Sequence, residues 1–452
     1  MRFFRKYIDF NFFLRYILQY EDKMLIEFKT GNFRSFKDIV TFSMVASADK
    51  EHIETNTIEI SDKLRLLKSA VLYGANASGK SNLIKAMAFM RNFVIESSKE
   101  SQANDPIKVD KFRLSTVSDK EPATFEAIFL IDKTRYRYGF QVDQERIYNE
   151  WLYYVPTMRE AVLFTRENDK FKVGNDYKEG KNLESKTREN ALFLSVVAQF
   201  NGEISKKVLK WFNDFGIISG IDDSKYFGFT LSSMDDRVFL EFSNRFLKVA
   251  DIGIKDIKKE EKLMGIDEFM KGMPKQFTKK LLSKTKEIIS IEVKTTHQKY
   301  DNNYNPISDE NFSFPDHESE GTQALFGLSA PIYDTIKNNN VLIIDELTSK
   351  LHPLLTRFII ELFHKYKFSE DCEKKSKAQL IFVSHDTSIL TNQLFRRDQV
   401  WFTQKNEYGE TQLYSLDDYR IRKDASFSKD YMMGKYGAIP SIGNIASLFH
   451  LD

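Results

Sequence analysis

The chain carries Gly74-Ala75-Asn76-Ala77-Ser78-Gly79-Lys80-Ser81 between an apolar run, Ala70–Tyr73, and a segment with helical spacing that opens at Asn82. Its pattern, G-x-x-x-x-G-K-[ST], is that of a loop whose backbone N–H groups surround the phosphates of a nucleotide. The glycines allow the tight turn that points these N–H groups at the phosphate oxygens. The N-terminus of the helix that follows also favours an anion. The stretch therefore predicts an α/β fold built around a phosphate-binding loop.

The polar residues of this loop have distinct expected roles. Lys80 would reach the β- and γ-phosphates, and the Ser81 hydroxyl would hold Mg²⁺. The rest of the predicted phosphate-binding set is Gly74, Asn76, Ser78, Gly79 and Asn82. The expected ligand is a nucleoside triphosphate with its Mg²⁺ ion.

Two further apolar runs end in chemically active residues. Val341–Glu346 reads as a buried parallel strand with two carboxylates at its C-terminal end. There, Asp345 would hold Mg²⁺, and Glu346 would polarise the attacking water as a general base. Gln379–Asp386 is a second such strand, and its His385 could contact the γ-phosphate. Taken singly, each is compatible with a core strand that runs into a solvated turn, but their order after a phosphate loop favours the catalytic interpretation.

In this order the motifs resemble those of the ABC-type ATPases, in the branch that contains SMC, RecF and OLD proteins. Asn32–Phe36 looks like the N-terminal strand and turn of that branch, and Leu351–Leu355 is similar to the Leu-His-Pro segment of OLD-like members. Glu318–Gln323 resembles the ABC signature, which begins a helix and caps the γ-phosphate bound by a second protomer. The resemblance implies ATP as the nucleotide and an ABC-type head, with a mixed sheet, an antiparallel β-subdomain and an insertion between phosphate loop and signature. It adds Arg34, Ser319, Gly321 and Thr322 to the nucleotide contacts, and implies a homodimer or higher oligomer through the heads.

A narrower resemblance is to prokaryotic AAA-family ATP-binding proteins of abortive-infection and restriction-linked defence loci, the AbiL- and RloA-like branch. It rests on the opening segment Met24–Lys37 and on the tail Tyr431–Pro440. It implies an ATP-driven sensor or switch in antiphage defence that controls a separate effector, often a toprim-type nuclease encoded nearby.

Several positions depart from the family pattern. The signature has Glu318 where a leucine is usual, and Thr348 stands where an acidic residue often follows the catalytic glutamate. A Q-loop is not obvious, and Gln141 is the candidate for that additional metal contact.

Two other functions are weighed against this one. A nuclease of the OLD type needs a toprim domain with its own metal-binding carboxylates, and the residues after Trp401–Phe402 are too few to form one. The second is an SMC- or RecF-like protein in DNA repair whose DNA binding is controlled by ATP. The net charge of +2 shows no strongly basic surface on average, but DNA contact through a local patch stays open. The basic tail from Arg420 to Lys435 is read either as a subunit contact or as a solvated face.

Bulk properties indicate an ordinary globular protein of two or three lobes. The chain has 452 residues, 42% of them hydrophobic and 29% charged. Its single cysteine, Cys372, excludes an intrachain disulfide and fits a reducing cytoplasm. No segment is long and apolar enough to predict a transmembrane helix.

Four segments are expected along the chain. Residues 1–23 are read as an N-terminal extension or an upstream start, with an amphipathic docking helix as the alternative. Residues 24–185 would form the first half of the ATPase head, including a hairpin over 123–142 that Trp151–Val155 continues. Residues 186–290 would form a compact helical insertion, and 291–452 the second half of the head.

Overall fold

The structure is a computed structural model, and it describes residues 22–99, 102, 105–221, 224–250, 253–265, 287–365, 376–422 and 425–440. The chain divides into two compact units. The larger unit runs to Ile221 and resumes over Asp334–Ser349 and from Thr356 onward; the smaller unit takes the residues between. The proposed N-terminal extension up to its last two residues, the lysine-rich residues 266–286 and Cys372 lie outside the described residues.

The strands, in chain order, are β1 (Lys23–Gly31), β2 (Val40–Ser43), β3 (Thr57–Ser61), β4 (Leu64–Leu67), β5 (Ser69–Tyr73), β6 (Ala123–Ile131), β7 (Thr134–Val142), β8 (Ile147–Val155), β9 (Ala161–Glu167), β10 (Lys170–Val173), β11 (Gly216–Ser219), β12 (Asp256–Gly265), β13 (Glu287–Tyr300), β14 (Pro306–Ser313), β15 (Val341–Asp345), β16 (Gln379–Val383), β17 (Val400–Lys405) and β18 (Thr411–Ser415). The helices in the described part of the chain are α1 (Ile53–Asn56), α2 (Lys80–Glu96), α3 (Phe193–Gln199), α4 (Glu203–Asp214), α5 (Ser224–Ser233), α6 (Arg237–Val249), α7 (Phe314–His317), α8 (Glu320–Asn338), α9 (Pro353–Lys365) and α10 (Phe427–Met432).

The central sheet of the larger unit has the strand order β11-β15-β16-β5-β17-β18, and all neighbours except the β17–β18 hairpin are parallel. Strands β5 and β16 are buried at every position, which explains their continuous apolar sequences. Parallel strands place their carboxyl ends along one edge of a sheet, and ligands of such sheets bind beyond that edge. The phosphate loop, Asp345 and His385 follow β5, β15 and β16, so the strand predictions are confirmed and all three motifs meet at this edge.

A second, antiparallel sheet has the order β10-β9-β8-β7-β6-β1-β2. It contains the predicted hairpin as β6 and β7 and its predicted continuation as β8. One apolar core joins this sheet to α2 and to the central sheet, with Phe125, Phe140 and Met87 among its fully enclosed members. The larger unit is therefore the expected α/β fold with a mixed sheet and an antiparallel β-subdomain.

A buried ion pair anchors α3 to this antiparallel sheet. The Glu150 carboxylate accepts hydrogen bonds from the backbone N–H groups of Phe193 (2.7 Å) and Leu194 (3.0 Å), at the N-terminus of α3. Its other neighbour is the Arg166 guanidinium at 3.9 Å, and both side chains are almost fully enclosed. Burial raises the pKa of Glu150, whereas the charge of Arg166 and the two N–H donors oppose that rise. The carboxylate thus satisfies helix N–H groups that have no partner within the helix.

Replacing this carboxylate is expected to destabilise the larger unit strongly. Glu150→Ala leaves the enclosed Arg166 guanidinium without a counter-charge, which costs about 3–5 kcal/mol for a buried pair. Urea unfolding followed by circular dichroism measures the loss. The control is Glu160→Ala, whose carboxylate pairs with Arg137 at a partly exposed position, where about 1 kcal/mol or less is expected. Equal losses in the two variants would contradict the assigned role of Glu150.

The insertion differs from the prediction of a compact helical arm over 186–290. Helices α3 and α4 and strand β11 belong to the larger unit, and the smaller unit combines α5 and α6 with an antiparallel sheet, β12-β13-β14. Lysine and glutamate favour helices locally, and they misled the prediction for 256–265. In the structure this segment pairs with β13, which is rich in isoleucine, valine and threonine, and Lys294 bonds Glu260 across the two strands at 2.5 Å. Cross-strand pairing has overridden local helix propensity here.

Candidate nucleotide-binding site

The two glycines of the phosphate loop adopt backbone conformations that other residues avoid. Gly74 has a φ of 153° and Gly79 a φ of 117°. A Cβ atom at Gly74 would overlap the Thr403 carbonyl oxygen, and one at Gly79 would overlap the Thr411 hydroxyl. The loop therefore needs glycine both for its turn and for its close approach to the β17–β18 hairpin.

Hydroxyl groups from distant segments hold the loop from beneath. The Ser78 and Thr403 hydroxyls are 2.6 Å apart, and the Thr411 hydroxyl lies 2.8 Å from the Ser78 carbonyl oxygen. The Ser35 hydroxyl is 2.8 Å from that of Thr411 and accepts a 2.7 Å hydrogen bond from the Asn82 amide. Ser78 and Asn82, predicted as phosphate contacts, thus direct their side chains to the scaffold. Ser35, Thr403 and Thr411 carry no motif by which the sequence could have identified them.

Lys80 is enclosed by the loop that it follows. Its side chain donates hydrogen bonds to the carbonyl oxygens of Gly74 (2.8 Å) and Ala75 (2.9 Å), and the residue is 5% exposed. Burial lowers the pKa of Lys80 to about 8, and the negative charges of Glu346 and Asp345 only partly oppose that fall. The ammonium group is thus held at the loop mouth, poorly solvated and close to both catalytic carboxylates.

The pH dependence of nucleotide binding should follow from this lowered pKa. The ammonium form attracts phosphate, and it is lost as the pH rises through about 8, so the affinity for Mg-ATP should fall about tenfold between pH 7 and pH 9. Titration calorimetry at several pH values measures this. Lys80→Arg is the control, because a guanidinium stays charged over the whole range and should give a flat profile. The same decline in both proteins would show that another group titrates.

Two of the three predicted metal ligands are brought together. The Ser81 hydroxyl donates a 3.1 Å hydrogen bond to Asp345 Oδ1 across the gap between α2 and β15. Burial raises the pKa of Asp345, and the Ser81 hydrogen bond opposes this. Within the described residues no group of three or more His, Cys, Asp or Glu side chains forms a complete metal cage. One hydroxyl and one carboxylate fit Mg²⁺, which commonly takes its remaining ligands from phosphates and water.

Gln141, the third predicted metal ligand, is not brought to this pair. It lies on β7, where its amide donates to Thr124 Oγ1 at 3.2 Å and accepts from the Asn149 amide at 2.6 Å. Both ends of the side chain are engaged within the antiparallel sheet. The structure therefore gives no support to Gln141 as a metal ligand.

Glu346 follows β15 with an unusual backbone conformation. Its φ of 61° lies in the left-handed region, which is strained for a residue with a side chain. The neighbouring edge strand maintains it, since the Gly220 N–H donates to the Asp345 carbonyl oxygen at 2.6 Å and Ser349 Oγ donates to the Gly220 carbonyl oxygen at 3.0 Å. A Cβ atom at Gly220 would overlap the Glu346 carbonyl oxygen. Gly220 therefore sets the position of the predicted general base, a role that no sequence motif indicated.

Gly220→Ala is expected to lower the turnover number for ATP about a hundredfold while ATP affinity changes little. The added methyl group must displace the Glu346 backbone, and a misplacement near 1 Å can cost this much in rate. Phosphate release and titration with a fluorescent ATP analogue separate the two effects. Gly228→Ala in α5 is the control, because a Cβ there meets no atom within 4 Å. An unimpaired Gly220→Ala enzyme would contradict this positioning role.

His385 and the first half of the phosphate loop line one cleft of about 660 Å³. Burial lowers the pKa of His385, and the nearby charge of Lys80 lowers it further, so the imidazole is neutral at pH 7. The opposite wall comes from the chain's tail, through Tyr431, Met432, Ile439 and Pro440. Asn76 also lines this cleft and is exposed to solvent. The tail's place in the nucleotide cleft was not among the sequence predictions.

Arg34 lies beside the loop but is already engaged. Its guanidinium pairs with Asp110 at 2.8 Å, and its backbone has a φ of 51°. The next residue, Ser35, is the one that reaches the phosphate-loop scaffold. Nucleotide contact by Arg34 stays a prediction that would require it to exchange this ion pair.

The signature-like segment begins a helix, as predicted. Ser319 Oγ accepts a 3.1 Å hydrogen bond from the Thr322 backbone N–H at the start of α8, and a Cβ at Gly321 would lie 3.0 Å from the Lys350 carbonyl oxygen. Glu318, which replaces the usual leucine, accepts hydrogen bonds from Thr295 Oγ1 (2.6 Å) and His297 Nε2 (2.8 Å) of β13. The departure from the family pattern therefore anchors the segment to its own sheet. Ser319 itself remains exposed.

A protein-family model described as "AAA domain, putative AbiEii toxin, Type IV TA system" matches residues 69–391, well over half of the sequence. The chain belongs to this AAA domain family. The matched region of this AAA domain extends from the strand before the phosphate loop to just beyond His385, and therefore contains the loop, Asp345 and Glu346. The family match shows an AAA-type ATPase domain.

Several solved structures resemble this AAA domain protein. They include the Smc head bound to the C-winged helix domain of ScpA (12% identity, 88% of this chain, 98% of that chain, TM-score 0.41) and the SMC head domain from Thermotoga maritima (12%, 88%, 99%, 0.37). The recombination mediator protein RecF-ATPrS is a third (15%, 87%, 99%, 0.34). A comparison with curated proteins gave no match. None of the helices in the described ranges combines the length and apolar character needed to cross a membrane.

Proposed function

We propose that this AAA domain protein binds Mg-ATP and hydrolyses it to ADP and phosphate. The observation that carries the proposal is the meeting of three motifs at one sheet edge: enclosed Lys80, the Ser81–Asp345 pair and the strained Glu346. A lysine with charged donors at a glycine loop binds phosphates, whereas a carboxylate beyond Mg²⁺ ligands suits a general base.

Each residue of the site would have one task. Lys80 and the loop N–H groups would hold and neutralise the β- and γ-phosphates, as P-loop enzymes do. Glu346 would orient a water molecule and accept its proton, and neutral His385 would donate a hydrogen bond to the γ-phosphate. Ser81 and Asp345 would hold Mg²⁺, which supplies charge neutralisation on phosphate oxygens when bound.

The site is proposed to be completed by a second copy of the chain. The resemblance to ABC-type ATPases assigns Ser319, Gly321 and Thr322 to the γ-phosphate of the opposite protomer. Two observations support this: Ser319 is exposed, and α8, which it precedes, is a 19-residue helix whose N-terminus suits an anion. Two heads would engage around ATP and separate after hydrolysis.

Mixing two inactive variants tests this arrangement. Lys80→Ala disables nucleotide binding, and Ser319→Arg blocks the proposed trans contact, so each protein alone should be nearly inactive. In an equal mixture half of the dimers combine both variants, and each of these has one complete site formed by two chains. Phosphate release should then recover to about a quarter of the wild-type rate.

The controls separate assembly from folding. Thermal unfolding must show that both variants are folded, and each variant mixed with itself at the same total concentration must stay inactive. A mixture without recovered activity, although wild-type protein hydrolyses ATP, contradicts the composite site. Wild-type protein without Mg-dependent hydrolysis contradicts the ATPase proposal itself.

We further propose that nucleotide-driven engagement of the heads acts as a sensor or switch in prokaryotic antiphage defence, within the cytoplasm. Support comes from the toxin–antitoxin wording of the family description and from the resemblance to defence-locus ATPases. A separate effector, expected to be a toprim-type nuclease, would carry out cleavage. Phage plating on cells that express the chain with and without its neighbouring genes tests this, using Lys80→Ala as the inactive control. Equal plating in all strains would contradict the defence role.

A further inference from the structure

The chain's tail forms a second cleft, which none of the nucleotide motifs uses. Its volume is about 710 Å³, and it is formed by residues between Tyr419 and Tyr436. Four cationic residues line it: Arg420, Arg422, Lys429 and Lys435. We name this feature the tail cleft.

The tail cleft concentrates positive charge that the rest of the protein does not have. Among its described lining residues, four cations face a single carboxylate, Asp430, which leaves a net charge of +3. The entire chain has a net charge of only +2. The rest of the protein is therefore close to neutral, with a charge of about −1, and the cleft is a local anion-attracting surface.

Most of these cations are available to a ligand. Lys435 pairs with Asp430 at 2.6 Å, which uses the one carboxylate of the cleft. Within the described residues, the side chains of Arg420, Arg422 and Lys429 form no ion pair, although most surface arginines of the larger unit do: Arg137, for example, bonds both Glu126 and Glu160. Arg420, Arg422 and Lys429 are also exposed to solvent. Like charges that stay together without partners are unfavourable unless a bound anion neutralises them.

The kind of anion follows from the residues. Two arginines offer planar donor forks that match phosphate oxygens, and the set of three unpaired cations exceeds what one phosphate requires. The cleft also contains half-buried Tyr419 and the exposed apolar side chain of Met433. Cations interleaved with aromatic and apolar side chains are typical of grooves that follow a single strand of nucleic acid. An acidic peptide would need the cations but not this apolar lining.

We propose that the tail cleft binds the phosphate backbone of nucleic acid. The site is built on a defined element, since α10 begins with Ser426 as its N-cap and Lys429 and Asp430 project from it into the cleft. The same helix contributes Tyr431 and Met432 to the nucleotide cleft. Nucleic acid and ATP would thus contact one short helix from its two sides. The proposal extends beyond ATP hydrolysis and does not depend on it.

Fluorescence anisotropy with the full-length protein tests the proposal. The probes are labelled single-stranded DNA, duplex DNA and single-stranded RNA of about 20 nucleotides, each titrated between about 50 and 200 mM salt. Arg420→Ala/Arg422→Ala should weaken binding at least about tenfold and should flatten the plot of log affinity against log salt by about 1.4, or about 0.7 per lost phosphate contact on a single strand. Lys170→Ala/Lys172→Ala on edge strand β10 is the matched control for two exposed cations, and it should bind as wild type does.

Each remaining outcome has a defined meaning. Absence of binding to all three probes, or equal binding by the tail-cleft and β10 variants, overturns the proposal. Polyglutamate that binds in the cleft while the nucleic acids do not also overturns it, in favour of an acidic protein partner. Thermal unfolding shows whether the double variant is folded, and Lys429→Ala, which should weaken binding in the same direction, supplies an independent substitution. Lys80→Ala should keep nucleic-acid binding, so failure of the ATPase proposal and failure of this one are distinguishable.

Discussion

Glu346→Gln is expected to bind ATP with near wild-type affinity and to hydrolyse it about 10²–10⁴ times more slowly. The amide has the size of the carboxylate and can adopt the same backbone position, but it cannot accept a proton from water. ATP should then remain on the protein, and two heads should stay engaged around it. Single-turnover phosphate release gives the rate, and size-exclusion chromatography with light scattering gives the assembly state in excess Mg-ATP.

The control for this variant is Glu407→Gln, which removes an exposed carboxylate in the turn between β17 and β18. It should hydrolyse ATP as the wild type does. A Glu346→Gln protein that keeps wild-type turnover would remove Glu346 from the mechanism. A variant that binds ATP without hydrolysis but stays monomeric would retain the general base and contradict the head-to-head dimer.

Lys80→Ala is expected to weaken ATP binding about 10- to 100-fold and to abolish measurable hydrolysis. A charge-assisted hydrogen bond to phosphate contributes about 1.5–3 kcal/mol, and Lys80 is the cation that lies within the phosphate loop. Its loss also removes the charge that would stabilise the transferred phosphoryl group, so the rate should fall further than the affinity. Titration with a fluorescent ATP analogue and phosphate release measure the two quantities.

Lys85→Ala is the matched control, because Lys85 is an exposed lysine on the same helix. Its charge favours ionised Asp345 from a distance, so only a small effect is expected. Comparable losses in the two variants would show that general positive charge, rather than the enclosed ammonium of Lys80, attracts the nucleotide.

The parts of the site that sequence reasoning placed correctly are those formed by contiguous residues. The loop Gly74–Ser81 shows its function because backbone turn, lysine and hydroxyl must follow one another at fixed spacing. The Asp345–Glu346 pair and His385 were found because each ends an apolar run. Parallel strands must bring such ends to one edge, so the pattern carries three-dimensional information.

The parts that were missed depend on contacts between distant segments. Ser35 and Thr411 meet beneath the loop although 376 positions separate them, and their residue types occur throughout any chain. Gly220 acts through the backbone of Glu346, to which it is brought by the pairing of β11 with β15. Gln141 shows the converse, because a plausible residue type in a plausible segment has its amide occupied by Thr124 and Asn149.

By itself, the sequence determined the chemistry of the phosphate loop, the two strands with active ends and the helix that opens at the signature, because local spacing encodes each of them. Only the tertiary structure decided that the Lys80 ammonium is desolvated, that Glu346 is held in a left-handed conformation, and that the tail forms both a wall of the nucleotide cleft and a separate basic cleft. These properties arise from burial and from backbone contacts between segments far apart in the chain. No window of neighbouring residues contains that information.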